Sequence, residues 1–307
     1  MTTFEKARQY VYRCARPVEL ARWQYHFEGG SKENVLLALS FYQNEDGGFG
    51  HGLEADSLNP ASSPITTLTA ADILDEIGFT DASHPIIQGM LRYLDSGDSF
   101  DTQHNQWLNT IPSNNDYPHA CWWEYDAKDE SRYNPTAGLA AFILRYADPA
   151  SALYRKGLQI SKEAVAWFLA GNGNSERHVV GCFVPLYHAL KYLNIPNIDM
   201  DCLAAELQTQ VHQSITQDTS KWAVEYATKP SAFRITPDSM FYEANAEVAQ
   251  YECQFIQETQ QADGSWPITW QWWNDYKEYT TSTVWWRAVF CIENMLYLKA
   301  YGQLENA

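Results

Sequence analysis

Two stretches decide how this chain is read: Gln43-Asn-Glu-Asp-Gly-Gly-Phe-Gly50 and, far downstream, Gln260-Gln-Ala-Asp-Gly-Ser-Trp266. In both, a glutamine is followed by three residues, a glycine, one more residue and an aromatic. Each copy closes an amphipathic run, which holds Ala38-Leu39 before the first and Phe255-Ile256 before the second. A helix end leaves carbonyl oxygens without partners. Glycine reaches the left-handed conformation that closes such an end, and a neighbouring aspartate caps the turn. Those roles account for every residue type at Gln43, Asp46, Gln260, Asp263 and Trp266, so these residues are read as scaffold.

Outward from the two turns the chain reads as helices. Residues 4–14, 17–28 and 31–42 form three, with Pro17 in a first-turn position and Gly29-Gly30 ending the second. Ser63 caps a helix that Pro64 opens and Gly78 closes. The same start signal recurs at Asn134-Pro135, ahead of a helix over 136–146, and at Thr236-Pro237. Its three uses point to a repeated unit. Amphipathic runs at about 85–96, 150–169, 199–216 and 240–260 alternate with runs that are apolar nearly all round, at 135–147, 180–193 and 281–300. A helix with no polar face must be surrounded by protein. The economical solution is an inner ring of buried helices within an outer amphipathic ring.

Weaker turns near 96–100, 171–175 and Gln217–Trp222 bring the count to about six helix pairs. No interdomain linker is evident, and residues 1–307 are read as one domain. The segments 99–133 and 222–236 are read as loops over one mouth of the ring.

The glutamine, glycine and aromatic pattern resembles the glutamine-tryptophan repeat of the terpenoid cyclase and protein prenyltransferase superfamily, the squalene-hopene cyclase-like proteins. The likeness is close at 260–266 and nearly so at 43–50. It implies an all-α fold, an α/α toroid, and acid-initiated isoprenoid cyclisation in a central aromatic cavity. The chain departs from that family in its chemistry. It has no Asp-x-Asp-Asp acid motif, no Asp-Asp-x-x-Asp site for a magnesium-bound diphosphate, and no zinc set. Asp126-Ala-Lys-Asp129-Glu130 only imitates the diphosphate site. Asp116, His119 and Cys121 offer three ligand types but no fourth group at a zinc spacing. The expectation is therefore no metal and no cofactor.

Composition narrows the partners. With 38 acidic against 21 basic residues, a net charge of −17 argues against nucleic acid and against anionic membrane surfaces. No apolar run approaches a bilayer span, and Met1-Thr-Thr-Phe-Glu-Lys-Ala-Arg lacks the apolar stretch of a secretory leader. Six scattered cysteines without a Cys-x-x-Cys pair, most of them inside helical runs, read as reduced, buried thiols. These features lead to an expected cytoplasmic location.

The unusual part is the aromatic content, 12 Trp, 19 Tyr and 13 Phe, and its placement. Four loops couple carboxylates to aromatic or apolar neighbours: Leu53-Glu54-Ala55-Asp56, Trp122-Trp123-Glu124-Tyr125-Asp126, Trp222-Ala-Val-Glu225-Tyr226 and Trp270-Gln-Trp272-Trp273-Asn-Asp275-Tyr276. A carboxyl held against apolar rings keeps its proton more tightly and becomes a proton donor near neutral pH. Aromatic faces stabilise a carbocation through their quadrupoles. On this reading Glu54, Asp56 and Glu124 are the catalytic candidates. His51, Trp122, Trp123, Tyr125, Asp126, Trp222, Glu225, Tyr226, Trp270, Trp272, Trp273 and Asp275 are the substrate-binding candidates.

Three alternatives stay open. The same inventory suits a carbohydrate-active enzyme, with Trp and Tyr stacked on sugar rings and two carboxyl groups across a cleft, Glu54 or Asp56 against Glu124, Asp126 or Asp275. A ring that only binds a ligand or protein needs no catalysis. Locally, Asp56 and Ser57 are also explained as a capped turn before Asn59-Pro60, with Glu54 solvated or paired to an arginine. His178 and His188 read as hydrogen-bonded core groups, and one member of each Trp-Trp pair as turned inward. The substrate is accordingly a small molecule, isoprenoid or carbohydrate, and the oligomeric state is not written in the sequence.

Overall fold

A computed structural model describes residues 1–128 and 132–304, and their regular structure is almost wholly helical. The helices are α1 (Thr3–Cys14), α2 (Pro17–Phe27), α3 (Lys32–Ser40), α4 (Pro64–Glu76), α5 (Pro85–Ser96), α6 (Thr136–Tyr146), α7 (Ala152–Trp167), α8 (Arg177–Leu193), α9 (Met200–Ser214), α10 (Tyr242–Thr259) and α11 (Tyr279–Ala300). The strands are short: β1 (Phe100–Asp101) and β2 (Gln106–Trp107), paired antiparallel with Phe100 opposite Trp107. None of the described helices is long and apolar enough to cross a membrane.

Tertiary contacts gather the chain into two compact units, Leu39–Gln210, and Met1–Ala38 together with Val211–Ala307. In the first, α4, α6 and α8 pack in succession, with α5 and α7 against α6 and against each other. Ten of the eleven α6 residues are buried, which is why its sequence shows no polar face. Its neighbours approach closely: a Cβ on Gly157 of α7 would lie 2.7 Å from Ile143. In the second unit α1 packs on α11, α2 on both, and α10 on α11 and on a one-turn helix at Pro230–Phe233. Phe4, Tyr10, Trp23, Ile256, Trp266, Ile292 and Met295 share its core, and Phe4 stacks on Trp23 at 5.1 Å. The two ends of the chain are thus held by one hydrophobic cluster.

The start signals read from sequence are met in full at one of three sites; at Asn134-Pro135 a helix does follow, but Pro135 itself stands at the cap position and no side chain caps it. Ser63 Oγ accepts the Thr66 N–H at 3.1 Å and α4 opens at Pro64. Residue 136 begins α6, after Asn134-Pro135. At Thr236-Pro237 the expectation fails. The Ser239 N–H bonds Thr236 O at 2.9 Å, so Pro237 takes the second position of a β-turn, a place its fixed φ also suits, and α10 begins only at Tyr242. The cysteines need correcting too. All six are free; Cys182, Cys253 and Cys291 are buried and Cys14 half-buried, but Cys121, in a short helical turn, and Cys202, on α9, are exposed.

The two glutamine turns share their main bonds. Gln43 Nε2 donates to Gly47 O at 2.9 Å and to Ile86 O, in the first turn of α5, at 3.0 Å. Gln260 Nε2 donates to Gly264 O at 3.0 Å and to Thr3 O, at the start of α1, at 2.9 Å. Gly47 and Gly264 share φ 96°, a conformation reserved for glycine. Asp46 Oδ1 accepts the Gly48 N–H and Asp263 Oδ1 the Ser265 N–H, the caps expected of them. Phe49 and Trp266 are buried.

Candidate active-site loops

In the Leu39–Gln210 unit the loop after the first glutamine turn is unusual in being buried. Connections normally run over the surface, because their backbone polar groups need water. Here Gly52, Leu53, Glu54, Ala55, Asp56 and Ser57 are all buried, with Glu54 at 9% exposure and Asp56 at 2%. Several of their backbone groups are paired within the loop. The Ser57 N–H bonds Glu54 O, and Glu54 Oε2 accepts the Asp56 N–H at 2.6 Å, a capped turn of the kind the sequence allowed. It differs from that reading in two respects: the cap comes from Glu54 rather than from Asp56 or Ser57, and Glu54 is buried rather than solvated.

A second loop pins the first. Ser57 and His119 form an isolated antiparallel bridge, with Leu58 N–H to Pro118 O at 2.9 Å and Ala120 N–H to Asp56 O at 2.8 Å. This is the closer of the two antiparallel pairings. Buried Asn59 donates to Asn114 Oδ1 and to Ser113 Oγ, each at 2.9 Å, while Asn114 donates to Trp123 O at 2.8 Å. Asn115 brackets Tyr125 through both its backbone groups. The 54–56 carboxylates, His119 and the Trp122–Asp126 segment are therefore held on one polar framework. Buried His119 has Nδ1 2.6 Å from Tyr117 O; a carbonyl only accepts, so Nδ1 carries the proton.

The remaining candidates of this unit lie at the rim. His51, with φ 57°, is exposed and tied to Asn44 Oδ1 at 2.8 Å, so it belongs to the glutamine turn. Trp122 is exposed, Trp123 and Tyr125 half-buried, Glu124 and Asp126 exposed. Asp116 and Cys121 are exposed while His119 is buried, and among the described residues no three His, Cys, Asp or Glu side chains are arranged to hold a metal ion. Asp129 and Glu130 lie outside the described residues.

The other half of the expected site falls in the unit formed by the chain ends. Trp222 is buried, donates from Nε1 to Thr216 O at 2.8 Å, and meets Tyr251 and Phe255 edge to face, so it closes the weak turn at Gln217. Glu225 is exposed, 3.8 Å from Lys221. Tyr226 meets Trp270 edge to face at 5.5 Å, and Trp270 meets Trp286 and Phe290 of α11 in the same way. Trp272 is buried beside Tyr276 and Tyr279, whereas Trp273, at 68% exposure and φ 52°, turns out to solvent. That is the one-in, one-out arrangement read from the pair. Asp275 is exposed.

Two features were missed. His178 and His188 are not core groups: both are exposed on α8, yet surrounding protein desolvates them and lowers their proton affinity, which keeps the imidazoles neutral. The second is Glu252, fully buried on α10, whose proton affinity burial raises against the opposing pull of Lys229, Ser231 and Tyr297. Its signal was present. The buried stripe of α10 runs Asn245, Val248, Ala249, Glu252, Cys253, Ile256, a carboxylate at a position helical spacing reserves for apolar side chains.

Comparison with protein-family models, with curated proteins and with solved structures gives no match to this chain.

Proposed function

We propose that the chain is an α/α toroid of the terpenoid cyclase and prenyltransferase kind, and that it is an acid–base enzyme acting on an isoprenoid with Asp56 as proton donor. The toroid reading draws support from the two glutamine clamps. Each ties a turn to the first turn of another helix, in the same register, and α4, α6 and α8 follow one another as inner helices would while α5 and α7 lie beside them.

The chemical reading rests on one observation, the run Gly52–Ser57, which carries two carboxylates two residues apart into the protein interior. Burial equips a carboxyl group to hold and deliver a proton. Glu54 holds the backbone of Asp56 through its 2.6 Å bond and so positions it. In the step envisaged, the Asp56 carboxyl protonates an alkene or epoxide, the substrate becomes a carbocation, and a later proton loss returns the acid to its starting state.

A second reading, carbohydrate cleavage, is favoured by the exposure of Tyr117 and Trp122 on the loop that also presents Glu124 and Asp126. Rings and carboxylates in that order suit a sugar face. A thermal-shift screen with isoprenoid diphosphates, squalene-like hydrocarbons and oligosaccharides separates the two readings. Turnover of the stabilising compound should fall about 10²-fold or more in Asp56→Asn, and by less in Glu54→Gln. Undiminished turnover in Asp56→Asn removes the assignment.

A further inference from the structure

Between α9 and α10 the alternation of helices is interrupted. Residues 215–241 supply only two single turns, one of them at Pro230–Phe233. In a repetitive scaffold a break in the local rules is where function is sought first. The turn at Pro230–Phe233 rests on α10 through a polar contact. The Ser231 N–H donates to Glu252 Oε2 at 2.8 Å, and the Ser231 hydroxyl donates to Glu252 Oε1 at 2.5 Å. Glu252 has no exposed surface, while Ser231 keeps part of its own in solvent.

A hydroxyl bonded to a desolvated carboxylate has the geometry of a nucleophile on its base, and the backbone N–H on the second oxygen orients that base as a third group does in a catalytic triad. Capping the turn needs only the N–H bond; the hydroxyl bond is additional. Lys229 stands close enough for its charge to act on Glu252, and its ammonium lies over the Phe255 ring at 5.1 Å. Burial raises the proton affinity of Glu252, the direction a base working near neutral pH requires. Behind it, Tyr297 donates to Ala249 O at 3.0 Å and Tyr301 to Ile235 O at 3.0 Å, fixing the turn and α10 to α11.

We propose that Ser231 is a nucleophile and Glu252 its general base, forming a site for acyl transfer from small activated esters. Ser231 Oγ adds to the ester carbonyl carbon as its proton passes to the Glu252 carboxylate. The tetrahedral intermediate collapses, the bond to the leaving alcohol breaks, and that alcohol takes the proton from Glu252. Water then repeats the sequence on the acyl-serine, releasing the acid and restoring both side chains.

The test uses the full chain and a fluorophosphonate probe, with the labelled residue identified by peptide mass spectrometry and p-nitrophenyl acetate hydrolysis followed in parallel. Ser231 should be labelled ahead of every other serine. Ser231→Ala, which keeps the capping N–H, should stay folded with a lowered melting temperature, because a buried carboxylate oxygen loses its donor, and lose both the label and the hydrolysis. Glu252→Gln should slow labelling about 10²-fold. The labelling rate of the parent should climb with pH through one ionisation and then level. An unlabelled Ser231, equal rates in parent and Glu252→Gln, or a rate without that step in pH overturns the assignment. The pH profile decides even if Glu252→Gln fails to fold.

Discussion

The turns at 43–49 and 260–266 use one plan on different partners. In both, a glutamine amide bridges the carbonyl of the turn glycine and a carbonyl in the first turn of another helix. Three residues further along that helix, each turn glycine meets backbone so closely that a Cβ would sit 2.0 Å from Gly89 O in one case and 2.1 Å from Lys6 O in the other. The difference lies in connectivity. The first turn grips α5, two helices onward in the chain; the second grips α1, which the chain made first. The pattern therefore specifies an attachment between a turn and a helix start, whether or not the backbone runs directly between them. It also explains how residues 3–27 come to share a core with residues 253–298.

The largest effect should follow from breaking the close approach. Gly47→Ala and Gly264→Ala each place a methyl group inside a carbonyl oxygen at a φ of 96°, so strain and clash add. A loss of about 4 kcal/mol or more, read by urea melts, is expected of either. A loss below about 1 kcal/mol at one site would mean that its turn lifts off its helix at little cost. The partners sharpen the comparison. Gly89 is itself a glycine, whose Cβ would meet the Gln43 amide at 2.5 Å, whereas the matching place in the second turn is taken by Lys6, which carries a side chain. Gly89→Ala should cost about 2 kcal/mol, because the flexible glutamine end gives way where backbone cannot.

Next in size come the clamps themselves. Gln43→Leu leaves Gly47 O and Ile86 O without the amide donor, and Gln260→Leu does the same to Gly264 O and Thr3 O. Each should cost about 2 kcal/mol. Amide exchange tells the two apart. Gln260→Leu should speed exchange in α1 and leave α5 protected, and Gln43→Leu the reverse. Acceleration in both helices by either variant would deny the separateness of the two attachments.

Local signals carried the fold a long way. Ser63-Pro64 marked a helix start because a cap and a fixed φ act within one turn, Asn134-Pro135 marked one without any side-chain cap, and α6 announced its burial through ten apolar or small side chains. Pro237 misled because the same fixed φ also suits a β-turn, and only the Ser239 to Thr236 bond decides between them. The site was less legible. Glu54 and Asp56 were found as loop carboxylates, but their burial is made by residues 57–63 and 113–123, through the Asn59–Asn114 pair and the Ser57–His119 bridge. No spacing in the sequence encodes a meeting of segments some fifty residues apart. Trp272 and Trp273 have identical chemistry and opposite fates, and a single left-handed φ at Trp273 separates them. Glu252 went unseen because acids were sought in loops, while the apolar stripe of α10 held the clue.

The smallest effect tests the aspartates, where the two turns differ most. Asp46 Oδ1 takes its second bond from Ser62, sixteen residues away, whereas Asp263 Oδ1 takes it from Ser265 Oγ at 2.8 Å and Oδ2 faces the Arg287 guanidinium at 2.8 Å. Partial burial pulls the proton affinity of Asp263 upward, but the Ser265 bonds and Arg287 outweigh it and leave the group below the usual carboxylate range. A depressed native pKa contributes stability that is complete above the unfolded value of about 4 and is lost as pH falls through the lower native value. Asp263→Asn, which keeps an oxygen for Ser265 and removes the charge, should therefore narrow the stability gap between neutral pH and pH 3. Because the aspartate is 43% exposed and water screens the ion pair, the change should stay under about 1 kcal/mol. An acid limb as steep in Asp263→Asn as in the parent would show that Arg287 gives this second turn nothing the first lacks.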